Sequence, residues 1–191
     1  MLFTVMTLVG CLIGYWLLMP ARVQPLSWLD EWQGEVLQPL AEAQLTLGQL
    51  TSRLPAAELW LQPGSDGPGL LLRDEQALAA GGWRLEAELA LDAAQRASLA
   101  AASGLQDGDA EQPQAASLLQ QLSGHSIGAL SLQPLQEVAA EAVSASLGAP
   151  RLRLQVAEGE VWVYPQLGLT VHVREGRLQW LRAVPRRLLR H

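Results

Sequence analysis

The chain contains no lysine and no asparagine, a single cysteine, Cys11, and a single phenylalanine, Phe3. One cysteine excludes an internal disulfide and any thiolate zinc cluster. The three histidines stand apart in sequence at 125, 172 and 191. Two or three scattered imidazoles do not make a metal site, so no metal and no cofactor is expected. Basic residues are scarce: thirteen arginines face nineteen acids, for a net charge of −6. A general nucleic-acid binder must neutralise phosphates with a basic surface, and this balance excludes one. Only 17% of the side chains are charged and 49% are apolar, across 191 residues. Disorder is therefore excluded as a description of the whole, and there is material for one sizeable core or two small ones.

Charge is also missing from the first twenty residues, MLFTVMTLVGCLIGYWLLMP, and Arg22 is the first charged side chain. At a rise of ~1.5 Å per residue such a stretch matches a hydrocarbon slab of ~30 Å, which predicts a transmembrane helix over 1–20. The chain is then expected in the inner (cytoplasmic) membrane as a single-pass protein, with the rest on the periplasmic side of the cell envelope. A cleaved signal peptide would need a basic start and small residues before the cut, and Met19-Pro20-Ala21 supplies neither. Leu8-Val9-Gly10-Cys11 is similar to a lipoprotein box, but nine apolar or small residues follow Cys11. That fits a thiol buried in lipid better than a lipidated terminus.

Beyond the anchor, the patterning predicts an α+β chain: a juxtamembrane helical segment over 21–57, a small α+β region over 58–112, and a C-terminal α+β module with a basic tail over 113–191. Trp28, Leu29, Trp32, Val36 and Leu37 fall on one helical face. The two tryptophans serve as core or as interfacial anchors. Trp83, Leu85, Ala87, Leu89 and Leu91 alternate with polar residues and predict a strand. Asp92 with Gln95 predicts the N-terminus of a helix, and Gly104 its end. Asp107, Asp109 and Glu111 lack the glycine and the distal glutamate of a calcium loop and read as a solvated acidic loop. In the last third, Pro134 and Gly148 bracket a predicted helix, and strands over 151–157, 161–164, 169–173 and 178–184 form an antiparallel meander.

The text SLQPLQEVAAEAVSASLGAP followed by GEVWVYPQLGLTVHVREGRLQWL resembles the small outer-membrane lipoprotein fold typified by BamE, the SmpA/OmlA-like family. The positions that carry the likeness are Leu147, Gly148, Ala149 and Pro150, then Trp162 and Tyr164, then Gly168-Leu169 and the Glu175-Gly176-Arg177 turn. It spans residues 129–184, and some hundred extra residues precede it. The resemblance implies a non-catalytic partner in protein assembly at the envelope.

Gly124-His125-Ser126-Ile127-Gly128 fits G-x-S-x-G, the nucleophile elbow of α/β hydrolases. The residues before Ser126 read as a helix where the elbow needs a strand, and no aspartate follows it. A triad would have to draw on Glu158, Glu160 or Glu175 with His172 or His191. A serine esterase using Ser126 is therefore an alternative, and a lipid-binding module with a curved sheet between 44 and 91 is another.

Charge is distributed unevenly. Residues 1–150 hold five arginines against sixteen acids, and residues 151–191 hold eight against three. The leading expectation is a membrane-anchored, non-catalytic protein that binds envelope protein partners in envelope or secretion-apparatus assembly. Its candidate binding residues are Trp162 and Tyr164, expected exposed while Val161 and Val163 face a helix, and the basic residues Arg182, Arg186, Arg187 and Arg190.

Overall fold

The computed structural model describes residues 23–75 and 82–190. Its helical part begins with α1, Ser27–Trp32, which runs through a π-helical stretch, Gln33–Leu37, into α2, Gln38–Ala41. Pro39 has no N–H to offer the carbonyl of Glu35, and its ring crowds that carbonyl, so the helix widens there. The predicted apolar face is the buried one: Leu29, Trp32, Val36 and Leu37 are all in the core. Trp28 packs edge-on against both Trp32 and Trp83. A third helix, α3 over Leu47–Thr51, starts from a reciprocal cap between Thr46 and Gln49.

Among the described residues, nine strands form one sheet: β1 Glu58–Gln62, β2 Gly69–Asp74, β3 Trp83–Leu89, β4 Gln112–Pro113, β5 Ile127–Pro134, β6 Leu152–Val156, β7 Gly159–Tyr164, β8 Leu169–Arg174 and β9 Arg177–Ala183. The order is β4-β1-β2-β3-β5-β9-β8-β7-β6, and every pairing is antiparallel. Between strands lie α4, Ala93–Ser103, α5, Ala116–Gln121, and α6, Glu141–Leu147. Asp92 and Gln95 cap α4 reciprocally and Gly104 ends it in the left-handed region.

One face of the sheet carries the core. Leu59, Leu72, Leu85, Leu130, Leu132, Val171 and Leu181 meet Leu29, Leu37, Leu40, Leu47 and Leu50 of α1–α3 in a single buried cluster. The strand periodicity of two sends the intervening residues to the other face.

The α+β expectation is corrected: the chain is mostly β, one antiparallel sheet with a few short helices on one face. The period-two stretches on both sides of residue 112 pair with each other, β3 with β5, so the sheet runs through both. The predicted helix over 134–148 shrinks to α6, because Pro134 closes β5 opposite Trp83 and the following residues bond to the β8–β9 hairpin. The single-pass inner-membrane expectation is corrected as well. Among the described residues no helix is long and apolar enough to cross a membrane, and α4 has only eleven residues where ~20 are needed. Residues 1–20, on which that expectation stood, lie outside the described residues.

Candidate functional site

Among the described residues the helices pack on the core face of the sheet, and the second face divides in two. Around β1–β5 it is laced with ion pairs. Arg73 bridges Glu86 at 3.0 Å and Glu111 at 3.1 Å, Arg84 reaches Glu75 at 3.2 Å, and Arg182 reaches Glu88 at 3.1 Å. Burial pulls on the Arg73 guanidinium in the opposite sense, but its bonds to Glu111 and Glu86 prevail and raise its pKa.

Around β6–β9 the same face is apolar and aromatic. Leu152, Leu154 and Val156 on β6 are 49%, 45% and 46% exposed. Their neighbours across the β6–β7 pairing are Val163, Val161 and Gly159. Next inward, His172 of β8 stacks on Trp180 of β9 with ring centroids 3.4 Å apart. Burial against that ring holds the His172 pKa below the usual imidazole range.

β6 is also a sheet edge. All five of its residues are exposed, and its outer side has no strand paired to it among the described residues. The opposite edge is closed off by the two-residue β4, whose Pro113 faces Trp60. Two arginines flank the apolar row. Arg151 has no ion pair among the described residues, and Arg153 lies over the Trp162 indole, 4.2 Å from its centroid.

The expected exposure of Trp162 and Tyr164 is reversed: they are 3% and 6% exposed and belong to the core cluster. Each satisfies its polar end there. Trp162 Nε1–H donates to Glu160 at 2.9 Å and the Tyr164 hydroxyl donates to the Gly148 carbonyl at 3.1 Å. The Glu160 carboxyl is held below its ordinary range by the Trp162 bond first, then by the bond from Gln155, while burial raises the Tyr164 pKa. The valines take the outward face, and the rings join the buried cluster that includes Leu29 and Leu40 of α1 and α2. The exposed row Leu152, Leu154 and Val156 went unnoticed in the sequence, although its alternation with Arg151, Arg153 and Gln155 is the signal for it.

The basic residues are not all brought together: Arg182 and Arg187 line one cleft and Arg186 does not. Arg182 is on β9, bonded to Ser131 and Glu88. Arg186 donates to the Gln166 carbonyl and pairs with Glu42 at 3.8 Å. Arg187 is exposed on the short 3-10 turn Arg186–Arg190, and the Arg190 side chain lies outside the described residues. Ser126 stands between α5 and β5, so its backbone runs helix, turn, strand, the reverse of a nucleophile elbow. Its carbonyl accepts from Ala90 N–H, and it bridges to Thr46. His172 is stacked on Trp180 on another strand, and Glu158 lies in the β6–β7 turn.

Compared with protein-family models, with curated proteins and with solved structures, the chain matches none.

Proposed function

We propose that this chain is a non-catalytic protein-binding module that takes an extended segment of a partner protein alongside β6, as a tenth strand of its sheet. The observation behind this reading is the edge of β6, unpaired among the described residues, beside the exposed row Leu152, Leu154 and Val156. Strand addition draws affinity from main-chain hydrogen bonds and specificity from alternate side chains. The partner segment has apolar residues on the face shared with Leu154 and acidic residues on the face shared with Arg153, with Arg151 free to pair beside it. The resemblance of residues 129–184 to a family of assembly partners supports the same reading.

The test uses short synthetic peptides in which valine alternates with glutamate, lysine or serine. The glutamate series should bind best and slow amide exchange along β6. Leu154→Lys places a charge on the edge and should abolish binding while leaving the melting temperature unchanged. Lack of binding by every series, or binding indifferent to Leu154→Lys, would sink the proposal. So would self-association of the free protein through β6, seen by light scattering and lost in the same variant.

A further inference from the structure

In an acidic chain, an arginine without a carboxylate partner stands out. Within the acid-rich first part of the chain, Arg53 pairs with Glu31 and Glu35, Arg73 with Glu86 and Glu111, and Arg84 with Glu75. The guanidinium of Arg96, on the first turns of α4, has no ion-pair or hydrogen-bond partner among the described residues. Neither has the guanidinium of Arg187, about ninety residues further along. The fold brings both to the rim of one cleft of about 650 Å3, where the end of β3, the start of β5 and the turn after β9 converge.

The same cleft is lined by the Arg182–Glu88 pair, His125 and Ser126. Glu88 is neutralised by Arg182, so the charge that remains is that of two uncommitted guanidinium groups. The floor is apolar, made by Leu89, Ile127, Val184 and Pro185. A cavity of this size suits a small molecule, and an apolar floor with a few convergent polar groups is how such molecules are held. Guanidinium forks match phosphate oxygens in a bidentate way, and His125 and Ser126 add donors without adding a negative charge.

We infer that this cleft is a binding site for a phosphate monoester with an apolar body, gripped by Arg96 and Arg187. It lies away from the β6 edge and does not depend on the strand-addition reading. The cleft also gives the Gly124–Gly128 motif a place: Ser126 serves as a hydrogen-bond donor at the wall of a site.

The experiment is a titration of the full chain with phenyl phosphate, read by amide chemical shifts at Gly128 and Ala129, beside inorganic phosphate and neutral phenol. Phenyl phosphate should saturate, and should bind more tightly than either fragment because it uses both the arginines and the floor. Arg96→Gln and Arg187→Gln should each weaken it about tenfold or more, with the control Arg84→Gln unchanged. Dihexanoyl phosphatidic acid, run in parallel, distinguishes a lipid-borne phosphate from a water-soluble one, and tighter binding of either supports the site and names its source. Shifts that do not saturate, or affinity that survives both substitutions, would overturn the inference.

Discussion

Arg153 sits over the indole of Trp162, its guanidinium carbon 4.2 Å from the ring centroid, on a pair directly opposed across β6 and β7. The indole N–H is bonded to Glu160 on the same strand. This arrangement fastens the edge strand to the sheet on the core side and leaves its other side to Leu152, Leu154 and Val156. Trp162→Ala should therefore cost ~3–5 kcal/mol, the range for deleting a buried tryptophan. Arg153→Ala should cost only ~0.5–1 kcal/mol, since the cation sits at the surface. Guanidinium unfolding midpoints decide it. A neutral Trp162→Ala would return the indole to the surface.

Two glycines in the C-terminal hairpins separate space from conformation. Gly168 ends the turn between β7 and β8 at φ +61°, and a Cβ there would meet the Val184 carbonyl oxygen at 1.9 Å. Gly176 has a similar φ of +72° with nothing within 4 Å of its would-be Cβ. The left-handed conformation costs a non-glycine residue ~1–2 kcal/mol at either site. Gly176→Ala should lose about that much, whereas Gly168→Ala should lose clearly more, because backbone must move. Equal losses in thermal melts would mean that the Val184 backbone yields freely.

Local signals were legible where one residue type forces one geometry. Asp92, Gln95 and Gly104 marked α4, and Glu175-Gly176 marked the β8–β9 turn, because caps and tight turns are decided within a few residues. The pairing of β3 with β5 was not legible, since nothing local says which strand lies beside which across some forty residues. Nor was the orientation of β7. Val161 and Val163 alternate with Trp162 and Tyr164, so both faces are apolar, and only the packing of distant elements decides which one turns inward.

The cap of α4 offers a local test. Asp92 accepts from Gln95 N–H at 2.8 Å, and the Gln95 side chain accepts from Asp92 N–H at 2.9 Å. The helix has no fully buried residue, so tertiary packing holds it weakly. Asp92→Ala should cost ~1 kcal/mol and appear as faster amide exchange along Ala93–Ser103, with β3 protected as before. Uniform acceleration in both elements would show that α4 and the sheet open together.

Stability should depend on pH through His172. Stacked on Trp180 and half-buried, its imidazole has a pKa lowered by loss of solvent. The unfolded chain takes up this proton near pH ~6.5, while the folded chain resists it until lower pH. Across that interval the unfolded state binds more protons, so stability falls as the pH drops, and the loss persists below the folded pKa. Glu160 acts in the same direction but further down, because its depressed pKa gives stability that is present above the ordinary carboxylate range and lost only as the pH falls through it. The two windows are separable. His172→Phe keeps a ring against Trp180 and cannot titrate, so its melting temperature should stay flat from about pH 7 to about pH 5, where the parent declines. The imidazole proton resonances of the parent, followed by NMR, should place the His172 midpoint below ~6.5. A midpoint at or above that value, or the same decline in the phenylalanine variant, would show that the stack carries no coupling between protonation and folding.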